Sequence, residues 1–161
     1  MLGPFANAPG REHERHNCSH DAPRPAWYMI AATAALLWNL IGVAMFAMQY
    51  TLSPDALAAL PPEQQSLYAA LPGWTWVAYG VAVFAGALGS LMLVLRRRAA
   101  TWLLLLSLVA VVVQFLYQAV ASEAVALLGP GEALGLPAFI LVVAALLYWF
   151  ARRSAARGWL R

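Results

Sequence analysis

Residues 74–121 read WTWVAYGVAVFAGALGSLMLVL, then RRR at 96–98, then AATWLLLLSLVAVVVQFLYQAVA. Two uncharged apolar runs flank three consecutive arginines. A hydrocarbon core of ~30 Å is crossed by about 20 helical residues rising ~1.5 Å each, and both runs reach that length. Neither alternates with period two, so neither reads as a half-buried strand. The reading is a helical hairpin through a membrane whose arginine turn stays on one side.

Working outward, two more apolar runs appear, at 26–50 and 134–151, giving spans at about 26–50, 74–95, 99–121 and 134–151. The third run exceeds the span length and the fourth only just meets it. The first is too long, and too far from the start, for the ~7–15-residue apolar core of a secretory leader. The fold class expected is all-α: a polytopic membrane protein with a four-helix bundle. Composition agrees. The chain of 161 residues is 63% hydrophobic and 11% charged, against about half and a quarter in a soluble domain, so the expected partner is the lipid bilayer.

The ten basic residues are all arginine. Arg11, Arg15 and Arg24 precede span 1, Arg96, Arg97 and Arg98 join spans 2 and 3, and Arg152, Arg153, Arg157 and Arg161 follow span 4. The two remaining loops hold none and carry Asp55, Glu63, Glu123 and Glu132 instead. By the positive-inside rule both termini are cytoplasmic. Short arginine clusters beside apolar runs are topology signals, not the continuous basic face that tracks phosphates, so no nucleic-acid partner is expected. The chain divides into a tail at 1–24 whose composition predicts disorder, a transmembrane domain at 25–153 and a basic cytoplasmic tail at 154–161.

In the first outer loop, Ser53-Pro54-Asp55 reads as a helix start with Ser53 as N-cap. A second start follows at Pro61-Pro62-Glu63, and the segment is expected to form short amphipathic helices at the membrane surface. The third helix is expected to run on through Ser122–Leu128. Gly129 would then be a left-handed C-cap, Pro130 a stop, and Pro137 a first-turn proline of span 4.

Polar side chains are costly in lipid and face protein or water. Asn39 beside Trp38, Gln49, and Gln114 and Gln118 with Tyr117 on one face of span 3 are the candidates. One reading makes them a pocket lining for a neutral, hydroxyl-rich solute, the amides bonding hydroxyls and the rings stacking. The other makes them interhelical hydrogen bonds that hold the bundle together. Ala82, Gly86, Gly89 and Ser90 form a small-residue face on span 2, with Gly42 on span 1, where helices approach closely. The partner of that face, whether another span or a second subunit, stays open. No acid or histidine lies deep in a span, as proton-coupled exchange requires; the four-helix multidrug exporters use a carboxylate in their first helix, where this chain has Asn39. No nucleophile–base set occurs in the spans, so no enzyme activity and no cofactor are expected. His13, His16, Cys18 and His20 could ligate Zn²⁺ or Cu²⁺, though their spacing matches no structural zinc pattern. The single cysteine excludes an intrachain disulfide.

From Arg24 onward the chain resembles a group of short bacterial inner-membrane proteins often catalogued as sugar transporters. The residues that carry the likeness are Pro25-Ala26-Trp27-Tyr28, Leu37-Trp38-Asn39-Leu40-Ile41-Gly42-Val43, Met48-Gln49, Ser53-Pro54-Asp55-Ala56-Leu57, Tyr68 to Trp74, and Trp149-Phe150-Ala151-Arg152-Arg153. The resemblance implies a four-helix inner-membrane protein and brings no defined binding residues. The functions expected are a scaffold or partner subunit or, alternatively, a transporter of a small neutral solute such as a sugar. Four helices rarely enclose a path, so transport would require a homodimer or another membrane protein.

Overall fold

The computed structural model describes residues 25–161, all of whose regular structure is helical. The metal-ligand candidates His13, His16, Cys18 and His20 and the tail at 1–24 lie outside these residues. Seven helices follow one another among the described residues: α1 (Trp27–Tyr50), α2 (Pro54–Ala58), α3 (Pro62–Ala70), α4 (Gly73–Val94), α5 (Ala99–Val120), α6 (Ala124–Leu128) and α7 (Pro130–Ala156). Four of them, α1, α4, α5 and α7, are long and apolar enough to cross a membrane. The chain is a multi-pass helical membrane protein.

The spans are neighbours in the order α1–α4–α5–α7. The α4–α5 hairpin is the centre, and α4 is the most buried span. The flanking helices α1 and α7 turn most of their apolar side chains outward, among them Ile30, Leu37, Ile41, Val142 and Leu146. Such a surface is unstable in water and ordinary in lipid, where the surrounding chains are as apolar as leucine.

The loop helices form where turn chemistry directs. Ser53 caps α2, its Oγ accepting from the Ala56 amide at 3.2 Å, and Pro54 and Pro62 occupy first turns, where a missing N–H costs nothing. Gln65 ties α3 back to α2 by donating to the carbonyls of Ala58 and Leu60.

The second outer loop departs from expectation. Helix α5 stops at Val120 instead of running through Ser122–Leu128. The Ala121 and Ser122 amides both turn back to the Tyr117 carbonyl, and Ser122 Oγ donates to the Gln118 carbonyl at 2.8 Å. A serine that competes locally for backbone groups favours such an ending. Gly129 has positive φ, but its ψ of 158° is extended rather than left-handed helical, a region open essentially to glycine alone. Pro130 therefore starts α7 instead of stopping its predecessor. Pro137 lies two turns inside α7, where it denies a donor to the Ala133 carbonyl.

The arginine end is tied together by backbone hydrogen bonds. Helix α4 closes with Arg96 N–H bonded to the Leu93 carbonyl and Arg97 N–H to the Met92 carbonyl, the paired bonds of a Schellman ending. Arg96 takes the left-handed position, φ 60°, that glycine usually fills. Helix α7 ends the same way, with Gly158 at φ 72° and bonds from Gly158 to Ala155 and from Trp159 to Ser154. That turn sends residues 159–161 back across the bundle. Arg161 N–H donates to the Arg96 carbonyl at 2.7 Å, Arg98 N–H to the Arg161 carbonyl at 2.8 Å, and Arg96 Nε to the Trp159 carbonyl at 3.1 Å. Residues 154–161, read from sequence as a basic tail, are thus a folded closing segment, with Trp159 and Leu160 buried beside Tyr28, Leu93, Leu104 and Ala151. The tail reading followed from the arginines; the indole and leucine among them are what bury.

Candidate functional site

Three polar residues of the spans, Asn39, Ser90 and Ser107, gather in a layer across three helices. Asn39 on α1 donates through Nδ2 to Ser90 Oγ on α4 at 3.0 Å and to the Ala35 carbonyl of its own helix at 2.9 Å. Ser107 on α5 donates to the Ala82 carbonyl of α4 at 2.6 Å. Ser90 and Ser107 are both buried.

Glycine makes this layer geometrically feasible. A Cβ placed on Gly86 would overlap Asn39 Oδ1 and come within 3.1 Å of Ser107 Oγ. Gly86 is therefore the point where α1, α4 and α5 converge. One turn on, a Cβ at Gly89 would meet Leu104 Cγ at 2.8 Å and the Leu104 backbone nitrogen at 3.1 Å. The small-residue face of α4, with Ala82, Gly86, Gly89 and Ser90, consequently serves two neighbours of the same chain: α1 through Gly86 and Ser90, and α5 through Ala82, Gly86 and Gly89. Gly42 behaves differently. A Cβ there would sit 3.5 Å from Val83 Cγ1, an ordinary contact. Gly42 faces α4 without being sterically required.

The residues read as a solute lining are dispersed. Trp38 points away from the layer and meets Phe139 of α7 edge-on at 5.7 Å. Gln114 donates to the Thr75 carbonyl of α4 at 3.1 Å, near the arginine-free end, and Tyr117 packs edge-on against Trp74 at 5.0 Å. The side chains of Gln49 and Gln118 are half-buried and form no hydrogen bond to another described residue. Among the described residues no three histidine, cysteine, aspartate or glutamate side chains come together to hold a metal.

Three participants escaped sequence reading. Ser107 precedes Gln114 by seven residues, two helical turns, and so shares its face; that spacing was a usable signal. Thr75 is buried at the start of α4, and no sequence feature marks its carbonyl as the partner of Gln114. Tyr28 is fully buried and donates to the Leu93 carbonyl at 2.8 Å. Its position beside Trp27 gives the appearance of an interfacial ring.

Aromatic clusters brace the layer at either end. Phe46 and Tyr50 of α1 interlock with Trp76 and Tyr79 of α4 at centroid distances of 5.1 to 6.4 Å. Trp27 and Tyr28 interlock with Phe150 and Trp159 at 5.5 to 5.9 Å.

Fold and site together define a class: an all-α membrane bundle of four spans tied by interhelical hydrogen bonds through its centre. Compared with known proteins, the chain matches no family model, no curated protein and no solved structure.

Proposed function

We propose that this protein is a structural bundle of a bacterial inner membrane, a scaffold or a partner subunit, with its arginine end in the cytoplasm. The single observation that carries the reading is that Asn39 and Gln114, the amides best placed to greet a solute, are already bonded to neighbouring helices. Each such bond adds about 0.6–1 kcal/mol to helix association. The orientation rests on the arginine partition and the positive-inside rule.

A second reading, transport of a small neutral solute such as a sugar, draws on the amides of Gln49 and Gln118, which bond no other described residue, and on the resemblance described above. It needs a second copy or another membrane protein to complete a path. Liposomes reconstituted with the purified protein distinguish the two. The scaffold reading expects uptake of labelled sugar equal to that of empty liposomes. Uptake above that level, lost in Gln118→Leu while the protein remains folded, would overturn it.

A further inference from the structure

The arginine end holds a hollow of about 290 Å³ between the start of α1 and the last turns of α7. We propose that this hollow binds the phosphate of an anionic lipid headgroup, held by Arg153 and Arg157 with Ser154 beneath them.

Three independent features lead there. The first is charge. Arg153 and Arg157 are one helical turn apart and share a face of α7; both line the hollow, and both are exposed. Neither forms an ion pair with a described residue. The described carboxylate side chains, Asp55, Glu63 and Glu123, all belong to the segments that connect the spans at the other end. The C-terminal end of α7 adds partial negative charge, so an anion here depends on the guanidiniums and gains nothing from the helix.

The second is preorganisation. Arg153 lies over the Trp149 ring at 5.3 Å and Arg157 over the Trp159 ring at 5.0 Å. Cation–π attraction to an indole holds a guanidinium near the ring, and its fork of N–H donors suits the two parallel bonds that phosphate accepts.

The third is Ser154. Its side chain is 1% exposed and lines the hollow, yet its Oγ has no hydrogen-bond partner. A helix-interior serine ordinarily bonds the carbonyl one turn back; this hydroxyl is left to donate to a phosphate oxygen.

The location selects a lipid as the source of that phosphate. Trp27, Trp149 and Trp159 wall the hollow, and indoles beside an arginine cluster mark the headgroup level. Below them the outward faces of α1 and α7 are apolar, so acyl chains attached to the headgroup continue directly into hydrocarbon.

Tryptophan emission of the full-length protein in neutral detergent, titrated with short-chain phosphatidylglycerol, tests the assignment. The expected result is a saturable change, at least about tenfold weaker in the double variant Arg153→Gln/Arg157→Gln, since two charge-assisted bonds are lost, and weaker with short-chain phosphatidylcholine, whose choline opposes the arginine charge beside the phosphate. Ser154→Ala weakens binding severalfold. Arg152→Gln, which removes the same kind of charge from a residue outside the hollow, leaves binding within about twofold, because it disturbs only general attraction. Absence of saturation in the native protein overturns the proposal, as does equal weakening by Arg152→Gln and by the double variant. Inorganic phosphate is the parallel titrant: binding as tight as the lipid's would assign the hollow to free phosphate and overturn the lipid assignment.

Discussion

Gly86→Ala tests the convergence of three helices on one backbone position. The added methyl cannot fit beside Asn39 Oδ1 and Ser107 Oγ, so Asn39 must rotate or α1 must withdraw from α4. Rotation gives up the bond to Ser90 Oγ at 3.0 Å, which is worth about 0.6–1 kcal/mol between transmembrane helices. Withdrawal loosens a packed interface at the ~1–3 kcal/mol typical of an overfilled core. Alanine's better helix propensity returns up to about 1 kcal/mol, so the net loss runs from near zero by rotation alone to about 2 kcal/mol by withdrawal. Gly42→Ala is the matched control: it adds the same methyl and gains the same propensity, but meets Val83 at an ordinary 3.5 Å. It should be neutral or stabilising by up to ~1 kcal/mol. Reversible unfolding in mixed micelles of increasing denaturing detergent, followed by helical circular dichroism, measures both. The reasoning fails if Gly86→Ala unfolds at the same detergent fraction as Gly42→Ala, or later.

Two further outcomes follow from the arginine end. Tyr28→Phe keeps the buried ring and removes the bond to the Leu93 carbonyl, so stability in the same assay should fall by about 1 kcal/mol, while Tyr28→Ala, which also opens a cavity, should lose about 3–5 kcal/mol. Deleting Trp159–Arg161 uncovers Tyr28 and discards two buried apolar side chains, at about 1.5–3 kcal/mol each. Protease access to the 96–98 turn should rise accordingly, and unchanged digestion would mean that the closing segment contributes no stability.

How far the sequence could be read depended on the range over which each feature is decided. The four spans are local: the length of an uncharged run and its arginine flanks suffice, and Ser53 announced α2 by cap chemistry within four residues. Failures came where a distant partner decides. Ser122 can end a helix by bonding the backbone one turn back, as it does here, but a serine is tolerated inside helices as well, and Pro130 suits a stop or a start equally until Gly129 adopts its extended conformation. The polar layer was half legible. Asn39 and the small face of α4 stood out, but that Gly86 accommodates the Asn39 side chain requires the crossing of α1 over α4. The closing segment was hidden most deeply, because Trp159 and Leu160 are two apolar residues among arginines and only the turn at Gly158 carries them under Tyr28.

The aromatic clamp at the arginine end changes the topology of the bundle. In helix packing the spans form an open row, α1–α4–α5–α7, with α6 also lying on α7 at the opposite end. The two ends of that row meet through rings: Trp27 and Tyr28 of α1 lie against Phe150 of α7 and against Trp159 just beyond it, and Trp38 meets Phe139 near mid-span. What is a row by its helix neighbours is thus a closed circle by its side chains, with aromatic residues as the clasp.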